Sequence, residues 1–487
     1  MNHVHRFKFL AIAICSALLI VFAIVSYSAV LSKNATFDEP LHALAGFTHR
    51  FKGDFRLDPE DPALFGYWAA LPHRSDELKI DYNSDSWTQM PKGASWDSWR
   101  FCRDTLFWTP GNDVDGFINR SRLMFVIVGV ALGAMIAIWS WQLAGVATAI
   151  IATALFAFDP NFMGHAPLVK NDVLTTFCML LMAYSLWRFG RRGTWLWMAM
   201  IALSCAIAVN VKFSGVLCGP IIFISLLLRA LLPQPWLVLG INLMKRWQRL
   251  LAAPAVCIFV AIVSFVVIWA CYGFRFVPTS DSDALLNTNM AVTRAKAGTL
   301  RARMNVQDET QEIPEDLLNN EPLHWLERAT VWGMSSHVLP QAWLYGLLYT
   351  RATTYTRSCY LLGVIGRTGW WYYFPCAMLF KTPTATLLAI VAAIASVFLF
   401  TSENENPAKD TSQPSDDKWW TLACLALTPI IYGGTAMAGN LNLGLRHVLP
   451  VYPFIFIAIA LGLSRLTANM PRTGTIISAL LIIGVAA

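Results

Sequence analysis

Charged residues are scarce in this chain. Of its 487 residues 14% are charged and 56% are hydrophobic, whereas about a quarter of the residues of a soluble domain are charged. Such a chain buries its apolar surface fully only when lipid is part of its solvent. The net charge of +7 comes from Lys and Arg in short loops, and no basic stripe with spaced aromatics indicates a nucleic-acid partner.

Several catalytic motifs are also missing. The sequence contains no P-loop, which argues against work driven by ATP, and no H-E-x-x-H or G-x-S-x-G motif of a zinc protease or an α/β-hydrolase. Its ten cysteines form no C-x-x-C pair, and we interpret most of them as small hydrophobic core residues.

Long hydrophobic segments are abundant. About eleven of them are long enough for a membrane-spanning helix, the structure that satisfies all backbone hydrogen bonds in lipid. We therefore predict an all-α integral membrane fold in a single domain, 1–487. The candidate spans are 9–31, 122–142, 144–159, 172–188, 195–212, 214–232, 251–272, 374–400, 419–438, 449–464 and 474–487.

The basic loops predict the orientation. Arg6 and Lys8 precede the first span, and loops on the same side contain Arg191 and Lys245, so we place this side in the cytoplasm. The segment 401–418, rich in Ser, Asn, Asp and Pro, is predicted to be a flexible cytoplasmic linker.

Two long segments then lie outside, at 33–121 and 273–373. Both are rich in aromatic residues, as expected of helices at the level of the lipid headgroups. The apolar spacing in 40–52 and 62–71 predicts two such interfacial helices in the first segment.

Acidic residues cluster at the start of both predicted interfacial helices. Asp38 and Glu39 precede His42 by about one helical turn, and the segment 58–62 contains Glu60 and Asp61. One interpretation is that these carboxylates cap the helices. Because two clusters meet the same membrane boundary, we favour a site in which they act as a general base for a hydroxyl or bind a divalent cation.

A third polar group occupies the outer loop before the fourth span. It contains His165 and Lys170, and Asp172 begins the span. Asp172 is equally plausible as a helix cap and as a third carboxylate of the same cavity.

Cations and aromatic residues complete the outer face. Lys212, Lys381 and Arg446, the last followed by His447, lie where the positive-inside bias disfavours them. Lysine there can simply reach the headgroups, but together these residues suggest an anion such as a phosphate group.

An aromatic patch covers 369–375 and includes Trp370 and Tyr373. It suits an aromatic belt at the membrane surface. The alternative is the wall of a groove for an isoprenoid chain, or a stacking face for a sugar.

Taken in order, these motifs resemble the GT-C superfamily of membrane glycosyltransferases, and within it glycosyltransferase family 39. That family contains the protein O-mannosyltransferases and the aminoarabinose transferase. The resemblance implies a GT-C fold, a sugar donor linked to polyprenyl phosphate, and transfer with inversion on the external face. The motifs that carry it are Asp38-Glu39, Pro59-Glu60-Asp61-Pro62, Asn171-Asp172, Lys212-Phe213-Ser214-Gly215, Gly369-Trp370-Trp371-Tyr372-Tyr373 and Arg446-His447.

The resemblance also implies roles for individual residues. Asp38 matches the carboxylate proposed as base or metal ligand, Glu60 an acidic position that binds a metal ion in the aminoarabinose branch, and Asp172 an acidic position of the mannosyltransferase branch. Asp61 stands where the aminoarabinose branch has a lysine, which puts that phosphate contact in doubt. A divalent metal ion as cofactor is therefore left open.

We predict that Asp38 is the catalytic base, with Glu39 in a supporting role. Lys212, Lys381 and Arg446 would hold the phosphate of the donor. The predicted location is a bacterial inner membrane with the site facing the periplasm, and the acceptor is a protein, a lipid or a glycan. The alternatives are a transporter or flippase for lipid-linked sugars and a binding protein.

Overall fold

The computed structural model describes residues 3–90, 95–280, 285–304, 306, 313–354, 357–366, 369–399 and 416–486. Most of the predicted linker at 401–418 lies outside these residues. The described part is almost entirely helical, and its only strands form two short hairpins.

The first half of the chain contains eleven α-helices and, between α5 and α6, a π-helical turn at Asp104–Trp108. The helices are α1 His3–Leu31, α2 Glu39–Phe51, α3 Ala63–Ala70, α4 Asp85–Gln89, α5 Ser95–Arg103, α6 Val114–Ala144, α7 Val146–Ala157, α8 Pro160–His165, α9 Asp172–Arg191, α10 Trp195–Val211 and α11 Cys218–Leu231.

The second half begins with a hairpin of β1 Trp236–Val238 and β2 Ile241–Leu243. The elements that follow are α12 Arg246–Cys271, α13 Thr288–Met304, α14 Glu315–Asn320, α15 Trp325–Ser335, α16 Gln341–Thr354, β3 Cys359–Leu361, β4 Val364–Gly366, α17 Tyr373–Lys381, α18 Thr384–Leu399, α19 Asp416–Ala438, α20 Tyr452–Asn469 and α21 Pro471–Ala486. Short 3-10 helices at Phe213–Leu217 and Leu445–Val451 lead into α11 and α20.

The prediction of an all-α integral membrane protein is confirmed. Seven described helices are long and apolar enough to cross a membrane, and the bent pair α17 and α18 makes up to eight. Three shorter apolar helices, α7, α10 and α21, fall at the other predicted spans. Every predicted span therefore coincides with apolar helix.

Two of the predicted spans have different boundaries in the structure. The segment 374–400 is not one straight helix, because α17 and α18 meet at an angle of 107°; Pro383 follows the break and cannot continue α17. The second and third spans are separated at Gly145, whose φ of +87° is a conformation that glycine adopts without strain.

Both predicted interfacial helices exist, as α2 and α3, but they pack against protein. Ten of the 13 residues of α2 are buried. The two helices meet at Gly46 and Gly66, so closely that a Cβ atom on Gly46 would lie 2.2 Å from the carbonyl oxygen of Gly66. Protein, and not lipid, thus covers most of the surface of α2.

The two external segments pack on each other. The backbone N–H of Phe55 donates to the carbonyl of Pro278 at 2.8 Å, and Phe55 shares an apolar cluster with Tyr272, Trp343 and Leu348. This cluster covers one side of a large cavity at the ends of the membrane helices.

Candidate functional site

The cavity has a volume of about 1050 Å³ and lies where the external segments meet α9, α10 and α19. Its lining is unusually rich in ionisable side chains for a mostly apolar protein. They are Asp38, His42, Arg56, Asp58, Glu60, Asp61, Lys170, Asp172, Lys212, Arg357, Arg446 and His447.

Asp38 faces this cavity and does not cap its helix. It occupies the N-cap position of α2, yet its side chain accepts no capping hydrogen bond. Its Oδ2 lies 3.1 Å from the Lys170 ammonium and 3.2 Å from the Arg446 guanidinium. Burial alone would raise the pKa of this carboxyl, but His42, Lys170 and Arg446 outweigh burial and hold the pKa at about 2.

Asp172 forms a second ion pair. It lies in the first turn of α9, where the helix dipole favours a carboxylate; the N-cap position belongs to Asn171, whose side chain makes no capping hydrogen bond. Its partner is the Lys212 ammonium, and the two side chains are 5% and 16% exposed. Neither Asp38 nor Asp172 therefore caps its helix through a side-chain hydrogen bond, which was the alternative considered for both residues.

Glu60 forms a third ion pair, with Arg357 from the second external segment. The Thr353 hydroxyl also donates to Glu60 at 3.3 Å. Burial opposes the charge of Arg357, but the neighbouring carboxylate raises the pKa of this guanidinium above its ordinary value.

His42, Asp58 and Asp61 form a compact group beside these pairs. The His42 Nδ1 lies 2.6 Å from Asp58 and 3.2 Å from Asp61, and the Asn171 amide donates to the other oxygen of Asp61. Burial disfavours the imidazolium, yet the two carboxylates raise the pKa of His42 to about 10. Burial raises the pKa of Asp61 to about 7, although His42 acts against it.

This group also has the spacing of a metal site. Ligand atoms of His42, Asp58 and Asp61 all lie within 4.8 Å of one another, and no other such group of three occurs among the described residues. The predicted ligands Asp38 and Glu60 are not part of this group, and each pairs with a cationic side chain of its own.

Glu39 is next to Asp38 in sequence but lies outside the cavity. It is fully buried and binds the Arg122 guanidinium through two bonds of 2.9 and 2.8 Å. The backbone N–H groups of Thr36 and Val169 also donate to it, at 2.7 and 3.0 Å. Burial would raise its pKa, but Arg122 and these amides hold the pKa of Glu39 below its ordinary value. Glu39 thus connects the start of α2 both to helix α6 and to the loop that carries Lys170.

The structure brings together eight of the predicted site residues and places the others elsewhere. Glu60, Asp61, Lys170, Lys212, Arg446 and His447 join Asp38 and Asp172 in the cavity. Lys381 is exposed at the end of α17, and only its backbone carbonyl contacts the cavity side, through Asn161.

The predicted aromatic residues and His165 are not among the residues that line the cavity. Trp370 donates its backbone N–H to the Asn442 side chain at 2.7 Å, and Tyr373 is buried at the start of α17. His165 ends α8, half-buried, and its Nδ1 has no hydrogen-bond partner.

Arg357, like Arg56, lines the cavity although the sequence did not indicate it. It is one of several arginines in the second external segment, and nothing next to it in sequence distinguishes it. His42 was named beside Asp38 in the sequence, and it shares the cavity because it follows Asp38 by four residues and a helix places such residues on one face.

Part of this chain is similar in sequence to a known family. The sequence model of the dolichyl-phosphate-mannose-protein mannosyltransferases matches residues 102–280. The predicted resemblance to these GT-C enzymes is confirmed. The matched segment contains Lys170, Asp172 and Lys212 of the cavity, but Asp38, Glu60 and Arg446 lie outside it.

Two solved structures are similar to this one at low identity. The apo oligosaccharyltransferase of Archaeoglobus fulgidus has 12% identity and a TM-score of 0.42, and the match covers 96% of this chain and 52% of that one. The chain thus spans about half the length of that enzyme. ArnT of Cupriavidus metallidurans, bound to undecaprenyl phosphate, has 11% identity and a TM-score of 0.35, over 94% and 78% of the two chains. No curated protein sequence matches the chain.

Proposed function

We propose that this protein is an inverting glycosyltransferase that moves a sugar from a polyprenyl-phosphate donor to a hydroxyl acceptor on the external face of a bacterial inner membrane. The observation that carries the proposal is the position of Asp38, a partly exposed carboxylate held between Lys170 and Arg446 in the cavity. The match to a family of mannosyltransferases that use a polyprenyl phosphate supports the same reaction class.

The ion pairs of Asp38 suggest how binding of the donor makes this carboxylate a stronger base. Lys170 and Arg446 suit a phosphate group as a point charge and a planar fork. When the donor phosphate takes these two cations, Asp38 loses two of the three charges that hold its pKa at about 2. The pKa of Asp38 then rises, and the carboxylate becomes a better proton acceptor when donor is present.

The transfer step follows from that arrangement. Asp38 accepts the proton of the acceptor hydroxyl, whose oxygen forms a bond to the anomeric carbon while the bond from that carbon to the phosphate oxygen breaks. The departing polyprenyl phosphate keeps the electron pair, and Lys170 and Arg446 neutralise its charge. Attack opposite to the leaving group inverts the configuration at the anomeric carbon.

Two further ion pairs border the same space. Lys212, held by Asp172, and Arg357, held by Glu60, provide additional positive charge for the sugar phosphate. A divalent cation used by the enzyme would fit His42, Asp58 and Asp61, where it would supply positive charge to the cavity.

Replacing Asp38 by Asn tests this proposal. The variant keeps the shape of the side chain but accepts no proton, so we expect transfer to fall by roughly 100- to 10,000-fold. The assay is incubation of purified protein with radiolabelled polyprenyl-phosphate sugars and membrane extract, with and without chelator. Asp76→Asn is the matched control, since Asp76 pairs with Arg74 on the open surface. Wild-type turnover by Asp38→Asn would exclude this residue as the base.

The same assay separates a transferase from a transporter of lipid-linked sugars. A transferase places the label in a new glycosidic bond, whereas a transporter leaves it on the polyprenyl phosphate on the other side of a vesicle membrane.

A further inference from the structure

The hairpin formed by β3 and β4 exposes an unusual amount of apolar surface. Tyr360, Leu362, Val364 and Ile365 are 64%, 68%, 58% and 73% exposed, and the segment 359–366 contains no charged residue. Four large apolar side chains are thus exposed on the two faces and the tip of one short hairpin, and exposed apolar surface of this extent marks a binding surface in soluble proteins.

The turn of this hairpin is more unusual still. Leu362 and Gly363 form it with φ values of +49° and +88°. Two-residue hairpin turns in which both residues have positive φ strongly prefer Asn-Gly or Asp-Gly. A leucine there is strained, and in water it has no compensating contact, because its side chain points outward.

The other hairpin provides an internal comparison. In the β1–β2 hairpin Leu239 and Gly240 have nearly the same φ values, +50° and +85°. Here the leucine is half-buried and packs against the main core, and its backbone N–H donates to the carbonyl of Gly193 at 2.6 Å. Packing within the chain explains Leu239, whereas Leu362 needs an apolar neighbour from outside.

The position of the β3–β4 hairpin indicates what that neighbour is. The Cys359 thiol donates to the carbonyl of Asn440 at 3.4 Å, just beyond the end of α19, a candidate membrane span. The chain continues from the hairpin towards α17; Trp371, just before this helix, and Phe380, within it, are both 68% exposed. The hairpin thus lies at the boundary of the membrane, next to other lipid-facing residues.

We propose that the β3–β4 hairpin inserts its tip into the lipid leaflet on the cavity side of the membrane. The outer edges of both strands are unpaired in the described structure, and such groups need hydrogen bonds from water or headgroups. The backbone of the hairpin therefore lies at headgroup level, and the side chains of Leu362 and Val364 reach the upper part of the acyl chains.

This contact fixes a part of the cavity relative to the membrane. Arg357, which binds Glu60 in the cavity, precedes Cys359 by two residues. The hairpin thus connects the lipid surface to a cation of the proposed sugar-phosphate site by a very short segment. The inference itself does not depend on the proposed reaction.

Fluorescence quenching in vesicles tests the insertion. We would label Leu362→Cys with a thiol-reactive fluorophore; wild type reports the background, since all ten natural cysteines are free and none is exposed. At position 362 we expect a blue-shifted emission and several-fold stronger quenching by lipids with a nitroxide on the upper acyl chain than by aqueous iodide. At Asp76→Cys, a position on the open surface, we expect iodide to quench more strongly than the lipids.

Two outcomes would overturn the proposal. Iodide quenching at position 362 as strong as at position 76 would place the tip in water. Protection from both quenchers would mean that protein covers it. Ile365→Cys gives a second probe of the same hairpin outside the strained turn, and it must show the same preference for the lipid quencher.

Discussion

At the scale of single residues, the cavity holds its cations in pairs with carboxylates. Asp38 binds Lys170 and Arg446, Asp172 binds Lys212, and Glu60 binds Arg357. A phosphate that enters the cavity must therefore replace a carboxylate as the partner of a cation. This exchange costs less desolvation than bringing free cations out of water.

Arg446→Gln tests the exchange. The arginine contributes a charge-assisted hydrogen bond to the donor phosphate in our proposal, worth about 1.5–3 kcal/mol. We expect the KM for the polyprenyl-phosphate sugar to rise by roughly 10- to 100-fold, with a smaller change in kcat. Steady-state kinetics over a range of donor concentrations measures this effect. Arg74→Gln removes an arginine of an exposed pair and is expected to leave both constants unchanged; an unchanged KM in Arg446→Gln would contradict the proposed role.

Asp159 predicts a pH dependence of stability. Its Oδ1 caps α8 by accepting from the N–H groups of Asn161 and Phe162 at 3.0 and 3.1 Å, while its Oδ2 is buried without a partner. Burial raises the pKa of Asp159 to about 6, although the hydrogen bonds from these two amides act in the opposite direction. Ionisation is thus harder in the folded protein, so stability is lost as the pH rises from about 4 to about 6 and stays low above that.

Asp159→Asn keeps the cap and removes the charge. We expect the variant to match wild type near pH 3 and to be more stable by up to about 3 kcal/mol at pH 8. Thermal unfolding in detergent at the two pH values measures the difference. Asp113→Asn changes an exposed cap of α6 and is the control; because this site buries no carboxylate, the variant should not show the gain in stability at pH 8.

At the scale of secondary-structure elements, the contact between α2 and α3 sets the geometry of the acidic group. His42 lies on α2, and Asp58 and Asp61 lie in the connection that leads to α3. Since Gly46 and Gly66 allow the two helices to touch backbone to backbone, any side chain there must push them apart.

Gly46→Ala should therefore destabilise the protein by about 1–3 kcal/mol and reduce transfer more than the loss of folded protein explains. Gly219→Ala in α11 is the matched control, because its added Cβ meets no atom within 4 Å. Thermal unfolding and specific activity of the two purified variants give the comparison. Equal behaviour of both variants would show that the helix contact does not position the site.

The helices of the first external segment also show what the sequence could predict. Apolar spacing located α2 and α3 to within about two residues, because helix periodicity is local information. It could not show that protein covers their apolar faces, since lipid and protein favour the same side chains there. The β3–β4 hairpin was not predicted, because eight uncharged residues next to aromatic ones look like part of a membrane surface in either conformation.

At the scale of the whole molecule, the cavity gathers residues from distant parts of the chain. The sequence identified Asp38, Lys170 and Arg446 individually, but not that the three form one ion-pair group, because no local pattern contains the contact of residues 408 positions apart. The misplacement of cations on the outer face was the useful signal. It also selected Lys381, which lies at the same membrane boundary but outside the cavity lining.

The arrangement of apolar helices predicts on which side each loop lies. Five apolar helices, α6, α7, α9, α10 and α11, separate Asp76 from the β1–β2 hairpin, so the two should lie on opposite sides of the membrane. We expect an impermeant thiol reagent to label Asp76→Cys from the outside of intact cells, after permeabilisation of the outer membrane, and Ile241→Cys only in inverted vesicles. Labelling of both variants from one side would contradict the count of spans.

The pairing of Asp38 with Arg446 also has a consequence for synthesis. The ribosome makes about 5–20 residues per second, and Arg446 follows Asp38 by 408 residues. Roughly 20–80 s therefore pass between the synthesis of Asp38 and that of Arg446. The acidic motif is thus made long before the cation that completes its ion pair exists. A chain released early, before α20 is made, would therefore be inserted and largely helical but without enzymatic activity.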